Sequence, residues 1–422
     1  MIPVVGLTVA SAGRFGKSCA VTERDPPRGI PPAGRFALCA ALASSIGQTF
    51  FIGLFGADFR ADFGLSEAAL GALYGGATLT SGLLMFWLGA IADYWLLRRA
   101  IVLSSLVLAT GAVLVGLADA AWVLVAGLFL LRLGGQGLTG HLAVVAAARH
   151  ARRRRGRAVA MASYGFILGE ATFPLAVVLL LDLVSWQQVW LLAAVVLAGL
   201  AAPLLYVLAS SLGSDEPPDR PSSPAVALPM GRRHLLGNGG FLRVLSVVLV
   251  PPVLVTAVFL HQGTLSELLD WQRSDIARGF MVFAAVQALL AFAGGRLIDR
   301  FSARSLLRFS LLPAAAAMLG LGLLPSGPAL WLLFAGLGMT AGLNGVISGA
   351  VWVELFGTAQ LGMIRGVYAA LMVVSTALGP VLLGWLLGLG VSLLAMGLAL
   401  AFYVLIVPAL LVPGIQGFER EP

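Results

Sequence analysis

The sequence predicts an all-α polytopic membrane protein, with twelve transmembrane helices in two pseudo-symmetric six-helix bundles. Three observations carry this. First, the 422-residue chain is 59% hydrophobic and only 11% charged, whereas a soluble domain is about 25% charged, so the sequence is built for lipid. Second, apolar stretches of the roughly 20 residues that a spanning helix needs recur along the chain and leave no room for a separate soluble domain. Third, short motifs of the first half return in the second at offsets of 205–210 residues.

Twelve spans are expected near 36–56, 66–91, 100–118, 121–147, 158–181, 188–210, 241–262, 276–298, 304–323, 328–354, 363–387 and 390–412. They are too long and too evenly apolar for strands, and Gly and Ala punctuate them, which lets membrane helices approach closely. Residues 1–35 read as a disordered cytoplasmic tail containing Pro26, Pro27, Pro31 and Pro32. The opening "MIPVVGLTVASAG" resembles a signal peptide ending at Ala10-Ser11-Ala12 but lacks the basic segment ahead of its apolar core. Residues 36–210 form the first bundle and 241–412 the second, with a cytoplasmic tail at 413–422. Between the bundles, residues 211–240 include "GSDEPPDRPSSPAVALPMGRRH", whose Pro, Ser and charge are those of a cytoplasmic linker. The cysteines, Cys19 and Cys39, form neither a disulfide framework nor a metal site.

The net charge of +8 comes almost wholly from arginine, Lys17 being the only lysine. These cations sit in short gaps of one parity: Arg98-Arg99, the run "RHARRRRGR" from Arg149 to Arg157, Arg232-Arg233, and Arg300, Arg304 and Arg308. The other gaps hold "GADFRADFG", Asp119 and "SELLDWQRSD", where acids match or outnumber bases. That asymmetry is the positive-inside pattern, which places both termini in the cytoplasm and argues against nucleic-acid binding. The run at 149–157 also suits anionic lipid headgroups.

Gly89-x-x-x-Asp93 closes the second span, and Gly295-x-x-x-Asp299 closes the eighth. Gly137-Leu138-Thr139-Gly140 returns as Gly342-Leu343-Asn344-Gly345; Arg155-Gly156 and Gly169 return as Arg365-Gly366 and Gly379. Parallel repeats of this kind are found in transporters. With these motifs the chain resembles the major facilitator superfamily over about residues 36–412. That family's loop motif is matched by Gly89, Asp93, Arg98 and Arg99, with Tyr94 and Leu96 in place of a basic residue and a second glycine. The later copy matches at Gly295, Asp299, Arg300 and Arg304, with Ser302 in the glycine position. The resemblance implies a conformational latch on the cytoplasmic side built from these eight residues. An acid there faces a helix N-terminus, worth roughly 0.3–1 kcal/mol, and Gly89 permits a close helix contact. The family's Gly-Pro pair is missing after Gly169, where Glu170 follows, and present at Gly379-Pro380.

Arg132 lies about 25 Å and Glu170 about 20 Å from the arginine-marked interface at 1.5 Å rise per residue. A charge near the bilayer centre costs roughly 2.5–3.5 kcal/mol, and ionisable residues there default to functional sites. Arg132 and Glu170 are therefore expected to pair in a central cavity, the arginine attracting an anionic cargo and the acid carrying a proton. Gln48, Thr49, Gln136, His141, Gln287 and Asn344 are expected to line the same cavity. His261 reads as interfacial, and Trp186, Trp190 and Trp271 read as interfacial anchors. Gly135-x-Gly137-x-x-Gly140 formally matches a dinucleotide fingerprint but follows no strand, so it reads as helix packing.

The scattered histidines, His141, His150, His234 and His261, make no metal cluster, and no nucleophile–base spacing appears. Neither enzymatic activity nor a cofactor or metal is expected. The reading is a monomeric secondary transporter of the cytoplasmic membrane. It moves a small, anionic organic solute by proton-coupled symport and alternating access. Proton-driven efflux of an amphipathic compound is the alternative within the class, and a non-transporting scaffold or receptor is the alternative outside it.

Overall fold

The computed structural model describes residues 30–89, 91–151, 155–212, 232–357 and 361–411. The signal-like opening, nearly all of the N-terminal tail, most of the linker and Arg152–Arg154 lie outside the described residues. Among the described residues, twelve helices are long and apolar enough to cross a membrane. They are α1 (Pro32–Gly53), α2 (Glu67–Met85), α3 (Leu97–Gly116), α4 (Ala121–His150), α5 (Gly156–Leu181) and α6 (Trp186–Ser210), followed by α7 (Gly239–Leu260), α8 (Arg273–Phe301), α9 (Ala303–Leu323), α10 (Ser326–Phe356), α11 (Met363–Gly388) and α12 (Leu393–Leu411).

Local chemistry sets where these helices begin. Pro32 occupies the first turn of α1, where its missing N–H costs nothing, and Pro31 stays extended at φ −61°, ψ 148°. The helix therefore starts ahead of the expected residue 36. Ser66 caps α2 by accepting from Ala69 N at 3.1 Å. Ser185 and Gln188 form a reciprocal capping box at α6. Asn238 Oδ1 accepts from Phe241 N at 2.9 Å, starting α7 inside the stretch expected to be linker.

Helix pairing repeats between the halves. In the first half α1 packs on α5, α2 on α4, and α3 on α4 and α6. In the second, α7 packs on α11, α8 on α10, and α9 on α10 and α12, the same scheme shifted by six helices. The halves meet along α2–α11 and α5–α8, two seams that exchange under that shift. The first seam is glycine-lined. A Cβ on Gly71 would strike the Pro380 carbonyl, one on Gly75 would sit 2.8 Å from the Ala377 carbonyl, and one on Gly82 would strike Val373. These contacts need bare backbone.

Among the described residues, α1, α4 and α6 carry 3₁₀ or π winding at membrane depth. α1 winds into a 3₁₀ turn at Ser45–Gly47, and Gln48 is extended at φ −88°, ψ 156° before the helix resumes at Thr49. α4 is π-helical over Arg132–Thr139 and α6 over Leu197–Ala201. In the second loop motif, Ser302 sits at φ 64°, ψ 152°, a conformation that favours glycine, which accounts for the residue type the motif asks for there. Leu96, at the matching place in the first copy, has φ −60°, so that copy makes a different turn.

The tryptophan expectation is corrected. Trp190 is fully buried, with its ring centroid 5.2 Å from Phe51 and 5.1 Å from Phe55. Trp186 is buried against Phe59 and donates to Asp62 Oδ2 at 2.9 Å; Trp271 donates to the Ser326 carbonyl at 2.8 Å. Trp186 and Trp190 lie in the first turns of α6 and Trp271 just ahead of α8, and all three indoles are buried in the core. Trp87, Trp95, Trp122, Trp331 and Trp385 are the exposed ones.

Gly75→Ala should lose about 1–3 kcal/mol of stability through overpacking. Gly76→Ala, where an added Cβ meets nothing within 4 Å, should be nearly silent. Denaturant unfolding of the two purified variants checks the contrast.

Candidate functional site

A cavity of about 750 Å³ lies between the halves. The first half contributes Gln48, Arg132, Gln136, His141, Phe166 and Glu170 to its wall, and the second contributes Val255, Thr256, Phe259, Gln287 and Val373. Toward the arginine-rich end the wall continues through Val144, Gly366 and Ala370, which are exposed. At the opposite end, aromatics close it. Phe50 and Phe259 form the floor and pack on Phe280 at 5.9 and 4.8 Å, and Gln262 Nε2 donates to the Phe50 carbonyl at 3.2 Å.

Arg132 is 1% exposed, and its donors are aimed at α1 and α2. Nη1 donates to the Gly47 carbonyl at 3.1 Å and Nε to Thr78 Oγ1 at 3.1 Å, while the guanidinium carbon lies 5.3 Å from the centre of the Tyr74 ring. The broken turn of α1 frees a buried backbone carbonyl, and an unmet acceptor in a membrane costs several kcal/mol. Arg132 answers it.

The expected ion pair is absent: Arg132 and Glu170 face the same cavity without bonding to each other. Arg132 is drawn to the α1 break instead. One oxygen of Glu170, Oε2, and one nitrogen of Arg132, Nη2, are buried without a hydrogen-bond partner.

Gln48, Thr49, Gln136, His141 and Gln287 all reach the cavity as expected. Thr49 shares a 2.7 Å hydrogen bond with Tyr74 Oη. Asn344 does not line the cavity; it bonds Tyr368 together with Ser348. The glycine fingerprint on α4 is helix packing, as expected: a Cβ on Gly135 would meet Gly47 Cα at 2.7 Å and one on Gly137 would meet Met85 at 2.9 Å.

At the arginine-rich end the glycines make no close helix contact. A Cβ on Gly89 would touch only Met85, one turn back in its own helix, and one on Gly295 would meet nothing within 4 Å. Among the described residues no other helix approaches Gly89 at this end. Arg99, Asp299 and Arg300 are exposed and Arg98 and Arg304 partly buried. The Asp93 side chain is outside the described part.

The sequence reading missed the closed end. His261, expected at the lipid interface, is 1% exposed and bridges the halves. One ring nitrogen, Nδ1, lies 2.9 Å from Glu67 Oε2, and the other, Nε2, lies 2.9 Å from the Pro380 carbonyl. Glu67 also pairs with Arg60 at 2.7 Å, and Arg60 reaches Glu267 at 2.9 Å across the halves. Arg273 pairs with Asp58 at 2.7 Å, likewise from half to half. The one signal was available in sequence: an acid opening α2 and a histidine closing α7, both at the acidic-gap end.

Two helical repeats around a largely apolar cavity that carries a few polar and ionisable side chains fit a membrane transporter of the twelve-helix type. The chain belongs to the Major Facilitator Superfamily, whose family model matches residues 37–264 and 254–417. Solved structures agree on the fold. A bacterial homologue of the human lysosomal transporter Spinster, inward-facing and unoccupied, is 18% identical, with 92% of this chain and 95% of that one aligned at a TM-score of 0.62. The nucleoside transporter NupG is 11% identical, covering 89% and 97% at 0.68. A mutant of the peptide transporter POT, in complex with alafosfalin, is 16% identical, covering 93% and 96% at 0.66. Among curated proteins no relative matches by sequence.

Arg132→Lys puts one compact ammonium where a fork reaches two acceptors. It should cost about 1.5–3 kcal/mol, the worth of one charged hydrogen bond, and Thr78→Val should cost less. Unfolding of the purified variants gives both numbers.

Proposed function

We propose that this transporter is a proton-coupled symporter of a small organic anion in the cytoplasmic membrane. It works as a monomer, by alternating access, with the arginine-rich end in the cytoplasm. The observation that carries the reading is the cavity between the halves, which holds a guanidinium and a carboxyl group that do not neutralise each other. Its volume lies within the roughly 300–1,000 Å³ of small-molecule sites. Arg132 Nη2 supplies the donor for an anionic group of the cargo, and Gln48, Gln136 and Gln287 supply neutral hydrogen bonds around it. Glu170 carries the proton. A buried ionisable residue beside a transport cavity is costly to keep and marks an ion pathway.

In this reading the structure is the inward-facing state. The aromatic floor and the ion pairs at the far end shut the outside. The loop-motif residues at the cytoplasmic end, Gly89, Asp93, Arg98, Arg99, Gly295, Asp299, Arg300 and Arg304, form their latch once the halves rock the other way. The apolar share of the wall, with Phe50, Phe166, Val255 and Phe259, favours a second reading, proton-driven efflux of an amphipathic compound.

A thermal-shift panel of organic acids, amphipathic cations and neutral metabolites on purified protein separates the two. Stabilisation by an acid that Arg132→Met removes supports the anion reading, whereas stabilisation by the cations alone overturns it. With the ligand so found, Glu170→Gln in proteoliposomes should abolish accumulation driven by a pH gradient while leaving counterflow within about threefold of wild type (a difference below ~0.7 kcal/mol). Unchanged proton-driven accumulation would remove Glu170 from the coupling role.

A further inference from the structure

The contact between Glu67 and His261 fixes a proton count. A carbonyl oxygen only accepts, so His261 Nε2, 2.9 Å from the Pro380 carbonyl, carries a hydrogen. The Nδ1 edge lies 2.9 Å from Glu67 Oε2, and a hydrogen sits between those two atoms as well, on the ring or on the acid. A neutral imidazole has one N–H, so beside a bare carboxylate it leaves one of these contacts as two facing lone pairs. The pair therefore holds one proton more than a neutral imidazole and a carboxylate hold apart. Arg60 Nη1 at 2.7 Å and Thr264 Oγ1 at 2.6 Å, both on Glu67 Oε1, favour the carboxylate form, which places the extra hydrogen on the ring as an imidazolium.

The contact also spans the moving seam. Glu67 opens α2 in the first half, whereas His261 follows α7 and Pro380 lies in α11, both in the second half. On α11 the Pro380 carbonyl and Gly384 face the ring, a Cβ on Gly384 meeting its Cε1 and Nε2 at 3.0 Å. Arg60 comes from the segment between α1 and α2 and bonds Glu267 as well. Separation of the halves at this end breaks the Glu67 contact and admits water to the ring.

We propose that Glu67 and His261 form a second proton-binding site. Closing the end opposite the arginines takes up one proton from the outer water, and opening it returns that proton. The site is distinct from Glu170 in the cavity and ties the protonation of a gate to its position. It rests on the alternating-access reading. In water an imidazole is mostly neutral above about pH 6.5. The closed form then binds one proton more than the open form, and each pH unit upward raises the open-to-closed ratio by up to tenfold.

The test uses full-length protein in nanodiscs with Cys19 and Cys39 replaced by Ser. Spin labels go at Leu183→Cys and Leu389→Cys, exposed positions at this end in the two halves. Pulsed dipolar distances are recorded from pH 5.5 to 8.5 in a Glu170→Gln background, so that the cavity carboxyl contributes nothing. The expected result is a short-distance population that falls as pH rises, by about fivefold to tenfold in ratio per unit above pH 7 (the one-proton limit). His261→Gln and Glu67→Gln should each flatten the curve. Two populations whose ratio ignores pH, or an unchanged slope in both variants, overturn the proton site and leave alternation standing. A single distance under every condition overturns both.

Discussion

A single buried guanidinium holds this transporter's centre together. α1 cannot be a plain helix, because it unwinds at Ser45–Gln48, and unwound backbone in a membrane is tolerated only where protein meets its polar groups or water reaches them. Arg132 meets the Gly47 carbonyl directly. The same side chain reaches Thr78 and stacks over Tyr74 on α2, so one residue of α4 ties α1, α2 and α4 at a common depth. α1 and α2 both meet the second half, α1 through Gly53 against the Phe259 carbonyl and α2 through its glycine seam. The geometry of the cavity wall follows from that knot.

The two ends of the cavity are built on different principles. The closed end combines a dry aromatic layer, Phe50, Phe259 and Phe280, with an outer ring of paired charges. The aromatic layer excludes water without directionality. The charge pairs cost desolvation and fix which residues meet, so they give register rather than adhesion. The Asp58–Arg273 pair is partly exposed and contributes at most about 1 kcal/mol. The Glu67–His261 contact is more enclosed, with the His261 ring buried and Glu67 partly so.

The twelve spans and their duplication could be read from the sequence, because lipid forces long apolar helices and duplication forces matched motifs. The cavity was readable to the extent that polar residues in apolar spans need a reason, and Gln48, Gln136, His141, Glu170 and Gln287 all proved to line it. What could not be read were the partners. The Arg132–Glu170 pairing assumed regular helices, and the break at Gly47 created a competing acceptor that no residue type announces. Tyr74, Thr78 and Ser81, spaced along one face of α2, were the overlooked trace of that arrangement. His261 was misplaced for a similar reason. A histidine at a span end looks interfacial until the opposite half is folded against it.

The π-helical stretch of α4 has a consequence for how this protein tolerates change in length. A π turn accommodates a residue beyond the α-helical count, and here it lies between the part of α4 that seats Arg132 and the part that carries His141 and the terminal Arg149. Loss of one residue from 132–139 would let the helix relax to regular winding while the segments on either side kept their faces, whereas the same loss from the regularly wound part after it would turn everything beyond by about 100°. In the first case His141 would stay on the cavity wall; in the second Arg149 would turn away from the Ala92 carbonyl it reaches. The π-helical stretch is thus the part of α4 that best absorbs a change of one residue.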